Sequence, residues 1–74
     1  MTTMQQKPVQ KTIWCKIRYY QRLNDIPNET LAEQLRVNVR TLHDYDVKAD
    51  NVTLEKLNNF LVCNRITLDE LLKS

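Results

Sequence analysis

One stretch, Asn38-Val39-Arg40-Thr41-Leu42-His43-Asp44-Tyr45-Asp46, holds most of the side chains suited to selective polar chemistry. On a helix turning about 100° per residue, Leu42 and Tyr45 share one side. That turns Arg40, His43 and Asp44 to the other, with Val39 at the leading edge. The Arg40 fork matches the two acceptors of guanine, a valine packs on a thymine methyl, and a carboxylate such as Asp44 accepts from cytosine N4. These chemistries are recognition rather than reaction. His43 is the only histidine, has no acid–base partner arrangement, and reads as a solvated side chain. Cys15 and Cys63 lie 48 positions apart, with neither a Cys-x-x-Cys pair nor a histidine at ligand spacing, so both are expected as reduced core residues. Ser74 lacks a histidine and carboxylate pair to activate it. No enzyme, cofactor, metal or small-molecule substrate is expected from these residues.

The elements that must position this stretch follow from apolar spacing. Leu31, Ala32 and Leu35 share a face of one short helix, and Leu42 and Tyr45 do the same for a second. Only Arg36, Val37 and Asn38 separate them, and Asn38 suits the N-cap of the second helix. Small Ala32 allows a close crossing, with Val37 plugging the gap. The result is a tight helix-turn-helix.

Before it, Val9, Ile13, Ile17 and Tyr20 recur at helical spacing, flanked by Trp14 and Leu23. Pro8 suits the first helical position, and this helix ends near Asn24. Burying Trp14, Ile17 and Tyr20 contributes roughly 1.5 to 3 kcal/mol each. Asp25 to Asn28 is a turn, Pro27 and Asn28 start helix 2, which runs to about Arg36, and helix 3 runs from Val39 to about Val47. Lys48 to Asn51 form a loop. Asn51 or Thr53 caps helix 4, whose inner face is Leu54, Leu57, Phe60 and Leu61. Thr67 with Glu70 forms a capping box ahead of Leu68, Leu71 and Leu72.

Seventy-four residues make one domain that buries only roughly 60% of its unfolded surface. The absence of glycine disfavours phosphate-cradling loops and flexible linkers, and no apolar run approaches the roughly 20 residues of a bilayer span. The expectation is an all-α, compact five-helix domain over residues 8–74, preceded by a flexible polar arm at 1–7. A start of Met-Thr-Thr-Met-Gln-Gln carries no secretion signal, so a cytoplasmic location without membrane contact is expected. The net charge of +2 hides an uneven distribution. Residues 1–24 carry five basic and no acidic side chains, whereas residues 25–74 carry six basic and nine acidic ones. The basic set reads equally as a solvated helix face or a phosphate footprint.

Leu31-Ala32, Leu35, Val37, Arg40-Thr41-Leu42, Tyr45-Asp46, Leu54, Leu57 and the ending Ile66-Thr67-Leu68-Asp69-Glu70-Leu71-Leu72 together resemble the Cro and lambda-repressor-like helix-turn-helix family over about two thirds of the chain. The resemblance implies a lambda-repressor-like domain with its helix-turn-helix in helices 2 and 3. Helix 3 would lie in the major groove of operator DNA, with Val39, Arg40 and Asp44 at bases and Asn28 and Thr30 at phosphates. The binding surface so expected comprises Asn28, Thr30, Asn38, Val39, Arg40, Thr41, His43, Asp44 and Lys48. It also implies a polar link from Asp46 to helix 1, with Gln21 near the expected place and Arg18 or Arg22 a turn or a residue away. Position 36, commonly a left-handed glycine in the family, is Arg36 here, which implies about 1 kcal/mol of strain or a reshaped turn. Asn64 stands where an apolar residue generally closes helix 4.

Asp44 and Glu29 set this surface apart, because unpaired carboxylates near phosphates are repelled, and Arg40 and Asp44 at i, i+4 would neutralise each other. Two readings follow. One is a small transcriptional regulator of phage or mobile-element type on double-stranded operator DNA, with helix 1 cations on the backbone. The other is a modulator or antirepressor whose outer face docks on a partner repressor protein. DNA-binding members of this fold usually work as dimers on half-sites one helical turn apart; no dimer surface is marked in this chain, and Leu71, Leu72 and the N-terminal segment are the available ends for a homodimer.

Overall fold

Apolar residues at helical spacing, broken by short polar turns, leave this chain only helices with which to bury its side chains. A computed structural model describes residues 9–73, and the expected arm at 1–7 and Pro8 lie outside them. These residues form five α-helices: α1 (Val9–Leu23), α2 (Asn28–Leu35), α3 (Val39–Val47), α4 (Leu54–Asn64) and α5 (Leu68–Leu72). A 3₁₀ turn at Ala49–Asn51 lies between α3 and α4, and there is no strand among the described residues.

All five helices feed one core, built from Trp14 and Ile17, Leu31, Ala32 and Leu35, Leu42 and Tyr45, Leu57 and Phe60, and Leu71, with Ala49 and Val52 from the α3–α4 connection. The α2 helix packs on α3 and α4, while α1 packs on the 3₁₀ turn and α5. Two edge-to-face aromatic pairs, Trp14 with Tyr45 at 5.1 Å and Tyr20 with Phe60 at 5.6 Å, join α1 to α3 and α4. Burial raises the Tyr45 phenol above its ordinary pKa.

Three helices, α1, α2 and α4, end the same way without glycine. Asp25, Arg36 and Arg65 have φ of 53°, 62° and 56°. In each case the next N–H, of Ile26, Val37 or Ile66, reaches back to a carbonyl five residues earlier, on Gln21, Ala32 or Leu61. This is the double-bonded left-handed cap, which calls for an apolar residue just beyond it. Ile26, Val37 and Ile66 meet that demand by packing against the core. Arg36 therefore takes the left-handed conformation itself.

Several expectations about exposure require correction. The buried line of α1 is Trp14, Ile17 and Gln21, with Ile13 and Tyr20 beside it. Val9 sits at the helix start and Leu23 about 120° round from Ile17, so both are exposed. Leu54 lies about 90° from the centre of the α4 inner face and is 80% exposed. That face is closed by Asn64, whose Nδ2 donates to Gln34 Oε1 on α2 at 3.0 Å and to the Phe60 carbonyl at 2.9 Å. Cys15 points almost opposite Ile17, and neither it nor Cys63 is a core residue: both thiols are free and exposed. Leu71, expected at an available dimer end, is fully buried, which leaves Leu72 exposed at that end. Thr53, not Asn51, caps α4, its Oγ1 accepting from Lys56 N–H at 3.3 Å.

Candidate recognition surface

The start of α3 is fixed by its own sequence. Asn38 has extended backbone angles, and its Oδ1 accepts from the Thr41 N–H and the Thr41 hydroxyl, both at 2.9 Å. Both residues at this end are thus tied to each other. Leu42 and Tyr45 are buried beneath, and Arg40, His43 and Asp44 face solvent. Val39 is half-buried against the core, so only part of its side chain is presented. Val47, which the sequence reading did not single out, continues the outer face and is 89% exposed. The expected Arg40–Asp44 pairing does not form: among the described residues neither side chain takes part in an ion pair. Lys48, just past α3, lies 3.7 Å from Asp50 Oδ2.

The α3 helix is held to the rest of the molecule through Asp46. Its Oδ1 accepts from Trp14 Nε1 at 2.8 Å and from Arg18 Nε at 3.0 Å, and its Oδ2 accepts from Arg18 Nη2 at 2.7 Å. The Arg18 bonds, opposed by partial burial and helped by Trp14 and His43, hold the Asp46 carboxyl below its ordinary range. His43 Nδ1 stands 3.9 Å from Asp46 Oδ2. The expected link to helix 1 is therefore present, and Arg18 supplies it together with Trp14, which the sequence reading did not name for it. Its guanidinium also lies 5.3 Å from the Trp14 ring centroid.

The same Arg18 reaches the start of α2. Its Nη1 donates to Gln21 Oε1 at 2.7 Å and to Asn28 Oδ1 at 2.9 Å. Gln21, 8% exposed, donates from Nε2 to Asn28 Oδ1 at 2.8 Å and to the Ile26 carbonyl at 2.9 Å. Asn28 is half-buried, and its carbonyl oxygen is occupied by two internal donors. Thr30, two residues along and about 200° round the helix, is exposed. Pro27 precedes the helix and provides no side-chain cap, so the first-turn N–H groups of α2 have no acceptor from the N-cap side chain. An open depression of about 600 Å³ lies here, lined by Arg18, Gln21, Arg22, Asp25, Ile26, Asn28 and Asp46. The one signal for this network in the sequence is Gln21, a polar residue on an otherwise apolar helix face.

Thus Arg40, His43 and Asp44 share the outer side of α3, Asn38 and Thr41 close its first turn, Asn28 and Thr30 start α2, and Lys48 follows α3. Among the described residues no helix is long and apolar enough to cross a membrane, and no group of three His, Cys, Asp or Glu side chains is placed to hold a metal ion. No family model matches the chain, and no curated protein or solved structure matches it either.

Proposed function

We propose that this chain is a small helix-turn-helix transcriptional regulator of phage or mobile-element type, resembling the Cro and lambda-repressor-like family, that reads operator DNA with α3. The observation carrying this reading is the joint between α2 and α3. Three residues, with Arg36 left-handed and Asn38 capping, set a short helix whose Leu42 and Tyr45 are buried and whose Arg40, His43 and Asp44 are exposed. A helix so presented fits the major groove and offers a guanine-directed fork at Arg40. The uncapped start of α2, with Asn28 and Thr30, supplies donors for a phosphate.

Binding is tested by fluorescence anisotropy with duplexes from around its own coding sequence over a range of salt concentrations. The logarithm of the binding constant should fall linearly with the logarithm of salt. A flat response, or no binding, overturns the reading.

A second reading is favoured by the acids. Glu29, Glu33 and Asp44 are exposed on α2 and α3, a composition suited to meeting the basic reading helix of a partner repressor as a modulator or antirepressor. Co-purification with the neighbouring regulator tests it, and failure to form a stable complex removes it.

A further inference from the structure

We propose that Gln21 is a positioning residue for DNA binding: together with Arg18 it locks the Asn28 amide so that Nδ2, a donor, is the atom offered at the start of α2 to a phosphate oxygen. This rests on the DNA-binding reading above.

The argument is one of donors and acceptors. A guanidinium has five N–H groups and no acceptor. Four of those on Arg18 are used, on Asp46 twice, on Gln21 and on Asn28. Gln21 must aim Nε2 at the Ile26 carbonyl, because turning its amide round would set two oxygens against each other. Its oxygen then accepts from Arg18, and its second N–H reaches Asn28. Asn28 thus faces two donors and must present Oδ1 inward, which turns Nδ2 outward. Among the described residues Nδ2 has no partner. The depression beside it is lined by two cations, Arg18 and Arg22, and two acids, Asp25 and Asp46. With the charges balanced there, a directed donor rather than net charge decides whether a phosphate is held.

One of the two donors that dictate this orientation belongs to a residue that is almost wholly buried, so the lock can be weakened without altering the exposed side chains. In Gln21→Glu the new carboxylate keeps the Arg18 bond but has no proton to give Asn28. Only Arg18 Nη1 is then left to hold Asn28 Oδ1 inward, while the carboxylate draws Nδ2 toward itself, so the outward donor is no longer fixed. In Asn28→Asp both inward bonds are kept while the outward donor is lost, so folding is preserved should Gln21→Glu fail to fold.

The test uses the full chain and a duplex that the wild type enriches from a random-sequence pool, with anisotropy and side-chain amide NMR as readouts. Asn28→Asp should lose roughly tenfold in affinity and Gln21→Glu a smaller but measurable part of that. Gln21→Glu should cause no further loss in an Asn28→Ala background, and the wild-type Asn28 side-chain signals should shift on adding duplex. Wild-type binding with those signals unmoved, or with the folded variants binding equally well, overturns this inference alone. Failure of the wild type to bind any duplex overturns the DNA reading and this inference together.

Discussion

Arg18 holds Asp46 at both carboxylate oxygens, Nε to Oδ1 at 3.0 Å and Nη2 to Oδ2 at 2.7 Å, and this pair sets α3 against α1. Because Trp14 Nε1 shares Oδ1 and Trp14 is buried, removing the carboxylate strands an indole donor as well as a guanidinium.

Asp46→Ala should therefore destabilise the fold by about 2 kcal/mol, the cost of an unsatisfied buried donor together with a lost charge-assisted pair. In a domain of this size that lowers the melting temperature by about 10 °C. Asp46→Asn, which keeps an acceptor for Trp14, should lose less. Thermal melts followed by circular dichroism measure both, and an unchanged melting temperature for Asp46→Ala refutes the account.

The same carboxylate makes stability depend on acid. Its folded pKa lies below the ordinary 3.8, so as pH falls the unfolded chain takes up the proton first. The stabilisation is complete above the ordinary value and disappears as pH falls through the folded one. Urea midpoints of the wild type and Asp46→Asn should differ by a constant amount above about pH 5 and converge below the ordinary carboxylate range. A difference that stays constant on acidification contradicts this.

Arg65 at φ 56° carries a strain of roughly 1 to 2 kcal/mol that glycine lacks. The greater freedom of an unfolded glycine offsets about 0.4 to 1 kcal/mol of that difference. Arg65→Gly should accordingly raise the melting temperature by a few degrees, whereas Arg65→Ala, with its Cβ intact, should not. Equal effects of the two substitutions would show that the left-handed backbone stores no strain.

Arg40 and Asp44 separate the two functional readings. If α3 reads bases, Arg40→Ala should reduce discrimination between the preferred duplex and one altered at a single guanine, by roughly ten- to a hundredfold. Asp44→Asn should tighten binding to any duplex. If the face binds a basic partner protein, Asp44→Asn should instead weaken that complex. Anisotropy on duplexes, with co-purification on the partner, distinguishes these outcomes.

Features decided by adjacent residues were legible from the sequence. The Asn38 cap, the Thr67–Glu70 capping box (Thr67 N–H to Glu70 Oε1 at 2.9 Å) and the burial of Leu42 and Tyr45 all follow from local spacing. Features decided by the relative placement of helices were not. Leu54 and Cys63 lie at the margin of the α4 inner face, where burial depends on what a neighbouring helix covers. Which of Gln21, Arg18 and Arg22 meets Asp46 depends on how α1 is rotated against α3, which no local pattern fixes. The orientation of the Asn28 amide is set by residues 7 and 10 positions away.

The Arg18 guanidinium, shared among α1, α2 and α3, leaves the chain little modularity. A replacement at that one position would tilt α3, release the amide at the start of α2 and loosen the indole together. Under the proposed DNA reading, folding and binding are coupled there, so selection acting on either one also acts on the other.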